Sequence, residues 1–373
     1  MTNPLLELKA LGQSIWLDDI DRGDLLSGLF GRLIDEDGLS GATGNPTIFE
    51  HSITHDTTYD EQMQQLIREE KSAQDIYEAL AITDEKRVAD LLRPIYERTG
   101  GQDGFVSIEV SPYLANDTEK TLVEVRRFWQ TIDRPNLMVK IPSTPAGIPA
   151  IHQALSEGIN INITLMFSLE NYRQVAEAYL SALEDRLAAG KDISRIASVA
   201  SFFVSRVDSK VDEQLTKKIE QANTGRRHQL ESLLGRGAIA NSKLAYVMFG
   251  QLHAGQRWDD LRSAGASVQQ CLWASTSTKN PLYGDTMYVE ELIGPATVNT
   301  MPVATFEAFR DHGQVELTLQ EDIDGARRVL DQLAMSGIDM AAITQELEDE
   351  GVAAFAKSFR ESIQHLNKVG APR

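Results

Sequence analysis

Eight short β-type runs alternate with helical patterns along this chain, and that alternation restricts the fold more than any other feature. The runs are SIWLDDI (14 to 20), LSGATGN (39 to 45), FVSIEVS (105 to 111), LMVKIP (137 to 142), INITLMF (161 to 167), SVASFFVS (198 to 205), QQCLWAST (269 to 276) and ATVNTMP (296 to 302). After the fifth, Tyr172, Val175, Ala176, Tyr179, Leu180, Leu183 and Leu187 fall on one stripe of a helix that Gly190 closes, and residues 118 to 131, 147 to 157 and 207 to 221 supply similar segments. Parallel strands need such crossovers, whereas hairpins do not. Eight strand–helix units therefore predict an α/β fold, a closed (β/α)8 barrel of the TIM type, with a doubly wound open sheet as the alternative.

Two stretches exceed what a barrel needs. Residues 52 to 104 read as several helices, with Met63, Leu66 and Ile67, then Val88, Leu91, Leu92 and Ile95, stopped at Gly100-Gly101. Residues 303 to 373 are helical again, with Val329, Leu330 and Leu333, then Ile343, Leu347, Phe355 and Phe359. Without these stretches the chain shrinks to roughly the 250 residues typical of a barrel. Length alone suggests two or three domains for 373 residues. The absence of repeats and of Pro- or Ser-rich linkers favours one elaborated barrel domain over 1 to 373, with a helical insertion at 52 to 104 and a helical C-terminal extension at 303 to 373. The apolar stripes of both additions have two outlets, the barrel surface or a subunit contact, which leaves a homo-oligomer open.

Composition then excludes several classes of function. No apolar run approaches the ~20 residues of a membrane span. The opening MTNPLLELKALGQ has no basic segment leading into an apolar one, and the single cysteine, Cys271, has no partner in the chain, so a cytoplasmic protein is expected. A net charge of −19 argues against nucleic-acid binding and means that any anionic ligand requires a locally basic site. The seven histidines are scattered, with no third ligand near His51 and His55, and neither GxGxxG nor GxxxxGK[ST] occurs, so neither a metal nor a nucleotide cofactor is expected. Cys271, inside an apolar run, reads as core.

The strands are not as apolar as a doubly covered parallel sheet requires. Alternation sorts Val106, Ile108 and Val110 from Ser107, Glu109 and Ser111, and Ile161, Ile163, Leu165 and Phe167 from Asn162 and Thr164. By the same rule Asp18 opposes Ile15 and Leu17, Lys140 opposes Val139 and Ile141, and Thr43 and Asn45 share a parity. An antiparallel sheet with one wet face gives this pattern too, but helices after nearly every strand oppose it. In a barrel these groups converge on the interior, where ionisable side chains are paired or functional. Lys140 is the most pointed of them. A lysine is protonated at neutral pH, and desolvation favours the nucleophilic amine. A salt bridge to Glu109 is the structural alternative.

GATGNPTIF (41 to 49) and NLMVKIPSTPAGI (136 to 148) resemble the two signatures of transaldolases, the Schiff-base enzymes of the pentose phosphate pathway, and WLDDIDR, VSIEVSP, GININITLMFS and ASFFVSRVD follow in family order. The resemblance spans roughly residues 14 to 302, and the additions look like the longer family form found fused to glucose-6-phosphate isomerase in some organisms. It implies a Schiff-base lysine at Lys140, a general acid/base at Asp18, and a catalytic water held by Glu109 and Thr164. It further implies that Asn45, Asn162, Ser201 and Thr43 face the substrate and that Arg206 binds its phosphate, with no cofactor. The implied reaction moves a dihydroxyacetone unit from sedoheptulose 7-phosphate to glyceraldehyde 3-phosphate, reversibly, giving erythrose 4-phosphate and fructose 6-phosphate. A Schiff-base aldolase and a silent sugar-phosphate-binding barrel are the alternatives. The sequence departs from the family at Gly44, where Ser or Thr is usual, and at Ser205, where Gly is common. It also lacks a second arginine after the seventh strand, where Lys279 or the hydroxyls of Ser275, Ser277 and Thr278 stand instead.

Overall fold

A computed structural model describes residues 3–369; residues 1 and 2, and 370–373 at the end of the expected extension, lie outside the described residues. Strands β1 (Gln13–Leu17), β2 (Gly41–Thr43), β3 (Phe105–Glu109), β4 (Leu137–Pro142), β5 (Ile161–Met166), β6 (Ser198–Phe203), β7 (Gln270–Ala274) and β8 (Thr297–Met301) pair in sequence order, all parallel, and β8 closes on β1. Closure and parallel pairing exclude both the open sheet and the antiparallel one. The outward residues Ile15, Val106, Val139, Ile161 and Ile163 are fully buried under the helices, and it is this burial that fixes the strand faces.

Most of the expected strands run two to three residues too far at their carboxyl ends. Pairing stops at Leu17, Thr43, Glu109, Phe203 and Ala274 because the chain there leaves the sheet to build the mouth. Asn45, for instance, belongs to no strand: its Oδ1 accepts from the amides of Thr47 and Ile48 and caps the helix Pro46–His55. In β5 the alternation itself fails. The register slips between Ile163 and Met166, and Leu165, at φ +57°, adopts a left-handed conformation and packs against Gly351. A bulge beside a site re-aims side chains that strict alternation would send to the outer face.

The two additions pack onto the barrel and onto each other. The helix Ala73–Arg98 also serves as the crossover from β2 to β3, burying Val88, Leu92 and Ile95, while Leu91 stays exposed. Its first half joins Phe49, Ile53, Tyr59 and Met63 in a satellite core that Leu366 completes. The terminal helix Met340–Val369 crosses the mouth: the Ser358 hydroxyl meets Thr47 Oγ1 at 2.9 Å, and Phe359 lies edge-on to Tyr77 and Tyr113. Lys210 ties the helix down through Glu346 and Glu350 at 2.7 and 2.6 Å. Among the described residues no helix is long and apolar enough to cross a membrane. Cys271 is buried beneath Tyr172, and burial pushes its thiol up to about 12.

Candidate functional site

The register places Glu109 beside Lys140 and Lys140 beside Asn162, so three adjacent strands deliver their polar groups at one level of the interior. Lys140 Nζ lies 3.4 Å from Glu109 Oε2 and donates to the Gly44 carbonyl at 3.3 Å, with the Phe355 ring of the terminal helix 5.8 Å away. Both ends of the pair are nearly sealed, at 6% and 5% side-chain exposure. The structural alternative for Lys140, a contact with Glu109, is thus present. It does not exclude chemistry, since the amine also faces a cavity of about 270 Å³ lined by Asp18, Thr43, Asn45, Thr164, Ser201, Arg206, Ser275, Ser277 and Lys279.

Across that cavity Asp18 stands one residue beyond β1. Its Oδ1 accepts from Thr43 Oγ1 at 2.8 Å, and Thr43 in turn meets Thr300 Oγ1 at 2.7 Å. Desolvation raises the Asp18 carboxyl above the usual carboxylate range, against the pull of Lys140 and of hydrogen bonds from Thr43 and Asn45. Desolvation likewise pushes Glu109 up to about 7, with Lys140 opposing it. Carboxyls lifted toward neutrality suit proton transfer at physiological pH. Asp19, the neighbour of wrong parity, does not line the cavity. Asn162, beside Lys140 on β5, donates to Ser107 Oγ at 3.0 Å and accepts from Ser201 Oγ at 2.7 Å, while the buried Thr164 Oγ1 has no partner.

The far end of the cavity is basic. Arg206 sits in the first turn of the helix Ser205–Gln221, its guanidinium 5.4 Å from the Phe203 ring. The surface ion pairs open to it do not form: Asp208 accepts from Ala238 N and Tyr288 Oη, and Glu213 holds Lys217. Partial burial and the like charge of Arg206 both push Lys279 down, and its Nζ donates to Ser277 Oγ at 2.7 Å. Ser275, at φ +56°, receives the Ser205 amide on its carbonyl at 3.0 Å and so fixes the loop against the helix start. Two cations at one end of the cavity, neither in a salt bridge among the described residues and one of them in the first turn of a helix, are suited to an anion.

Nine of the eleven residues expected from the sequence line this one cavity; Glu109 and Asn162 flank Lys140 on the two neighbouring strands. Phe203 and Phe355 were missed as wall residues. Phe355 was legible only as part of an apolar stripe, since nothing in a stripe says what it covers. Glu85 was missed altogether.

The fold and the cavity at its carboxyl-terminal mouth define a (β/α)8-barrel enzyme. The model of the transaldolase/fructose-6-phosphate aldolase family matches residues 15–366, and the chain belongs to that family. It is similar to a protein named Transaldolase 2 from Nostoc punctiforme, 45% identical over 369 residues that cover 98% of this chain and 97% of that one. It is similar also to transaldolases of Trichodesmium erythraeum (44% identical; 99% and 98% covered) and Thermobifida fusca (45% identical; 98% of each covered).

Proposed function

We propose that the chain is a transaldolase in which Lys140 forms the Schiff base. The observation that carries this reading is a buried amine placed between Glu109 and a cavity that has Asp18 on one wall and the Arg206–Lys279 pair at its end. The pair holds the phosphate of a ketose phosphate and leaves its C2 carbonyl at Lys140. The amine adds to C2, water departs, and the iminium withdraws electrons from C3. Asp18 takes the C4 hydroxyl proton, the C3–C4 bond breaks, and the aldose phosphate leaves while a three-carbon enamine stays on Lys140. Reversal with a second aldose phosphate completes the transfer. Glu109 and Thr164 hold the water that shuttles protons, Thr43 fixes Asp18, and Asn45, Asn162 and Ser201 hold the hydroxyls of the three-carbon unit. Sedoheptulose 7-phosphate with glyceraldehyde 3-phosphate is the substrate pair we assign, with no cofactor and in the cytoplasm.

The family name also covers an aldolase that releases dihydroxyacetone. Phe355 over the amine favours transfer, because an apolar roof restricts the water that hydrolyses the enamine. Borohydride added with fructose 6-phosphate leaves a three-carbon adduct on the peptide containing Lys140, and Lys140→Ala abolishes both adduct and transfer. Full transfer by that variant, or an adduct elsewhere, overturns the assignment. Dihydroxyacetone released without an acceptor aldehyde supports the aldolase.

A further inference from the structure

Behind the amine lies a second buried acid that the reaction above does not use. Glu85, midway along the helix Ala73–Arg98, is 5% exposed, and its Oε2 is sealed from solvent without a hydrogen-bond partner. Its other oxygen approaches Gly44 so closely that a Cβ there would lie 3.3 Å from Oε1, and Gly44 is the residue whose carbonyl receives Lys140 Nζ. Glu85 and Glu109 share a chamber of about 50 Å³ with Gly44, Tyr77, Ile108 and Phe128. That volume has room for a few water molecules at ~10–15 Å³ each. A buried carboxyl left unpartnered is costly, and a fold retains one where it has work to do.

The charges around Glu85 do not balance. Asp84 on the same helix is held by Arg22 at 2.8 Å, and Glu78, about two turns away, by Arg127 at 2.7 Å. From β3 comes Glu109 and from β4 Lys140; the helix Pro46–His55 contributes Phe49 and the helix Thr118–Ile132 contributes Phe128. Besides Asp18 across the cavity, one cation, Lys140, therefore serves two carboxyls on this side, Glu85 and Glu109. The arrangement with least buried charge has one of them ionised and the other neutral.

We propose that Glu85 is a positioning residue of the Schiff-base centre: neutral, it leaves Glu109 as the one anion behind Lys140, opposite Asp18, and ionised, it holds the amine as ammonium and slows its attack. The proposal rests on Lys140 being the nucleophile. Burial, with Asp84 adding to it, pushes Glu85 up to about 8, so the switch falls on the alkaline side of neutrality. Protonated Glu85 is the permissive form, and raising the pH removes it.

The test compares kcat of the wild type and of Glu85→Gln between about pH 6.5 and pH 9, alongside borohydride trapping with fructose 6-phosphate. Glu85→Gln cannot ionise, so the ratio of its kcat to that of the wild type rises about tenfold over this range, the ratio cancelling titrations not coupled to Glu85. A ratio that stays flat overturns the proposal. Glu85→Leu, which removes the polar group altogether, gives the same rise and serves if the glutamine variant does not fold. An adduct on Lys140 in both proteins with a flat ratio rejects Glu85 alone, whereas no adduct on Lys140 in either rejects the nucleophile itself.

Discussion

At the floor of the barrel and at its mouth a carboxyl is taken out of water, and the two ends do so in opposite ways. Asp103, just before β3, is 9% exposed and fully met by donors: Ser14 Oγ at 2.7 Å, Trp16 Nε1 at 3.0 Å and the Gly104 amide at 2.9 Å. Beside it Trp16 and Phe105 pack with ring centroids 6.4 Å apart, at the edge of a cavity of about 730 Å³ that Asp103, Ser14 and Phe105 line, and β2 passes only because Gly41 has no Cβ, which would lie 2.4 Å from the Trp16 ring. At the mouth, Glu109 has one ion contact with the amine it must share, and its Oε2 receives no hydrogen bond. Both carboxyls are raised by burial. Neutral, well-formed hydrogen bonds make Asp103 a fixed part of the scaffold, whereas incomplete partnering leaves Glu109 free to exchange a proton.

If that contrast is right, substitutions at the two ends separate activity from stability. The largest effect belongs to Asp18→Asn. The amide keeps an acceptor for Thr43 but cannot take the C4 hydroxyl proton, so kcat falls by about 10²–10⁴-fold while the melting temperature barely moves. Steady-state kinetics beside a thermal melt read both, and a loss of stability in place of turnover would make Asp18 a scaffold residue like Asp103. The reverse experiment is Asp103→Ala. Three donors lose their acceptor in a largely buried site, which costs on the order of 2–4 kcal/mol in urea unfolding, with kcat of the surviving folded protein within about twofold. A matching loss of kcat would show the two ends to be coupled through Trp16.

The sequence carried much of this contrast in its alternation and little of it in its chemistry. Ser14 and Trp16 on β1 share a parity with Asp18 just beyond it, as Ser107 does with Glu109 on β3, and that sufficed to bring the mouth residues together once the parallel barrel was inferred. Alternation does not say at which level of the barrel a residue lies. Nor does it distinguish a partnered carboxyl from an unpartnered one, because the partners come from other strands and from loops. The break at Leu165 was illegible for a related reason: INITLMF alternates cleanly, and the bulge arises where the strand meets the terminal helix some 185 residues later in the chain, at Gly351. Glu85 was hidden differently. It belongs to a helix whose apolar stripe read as added bulk, and only the close approach to Gly44 reveals that this helix reaches the site.

The smallest effects sharpen the contrast within the mouth itself, between a half-buried cation and an exposed one. Arg206 lies half-buried at a helix N-terminus with no carboxylate partner among the described residues, so a phosphate there replaces no existing ion pair and gains both guanidinium bonds and the helix end. Arg206→Ala is expected to raise KM for a ketose phosphate about tenfold to a hundredfold, the loss of a charge-assisted contact of ~1.5–3 kcal/mol. Lys279 is the more exposed of the two, only partly buried, and already engaged with Ser277, so Lys279→Ala raises KM less than about fivefold. Salt separates the two further. At about 0.5 M ionic strength the Lys279 contribution disappears while that of Arg206 persists, because screening acts on solvent-exposed charge far more than on buried charge. Equal salt sensitivity at both positions would mean that Lys279 closes over the bound phosphate, and the phosphate site would then resemble the partnered floor more than the open mouth.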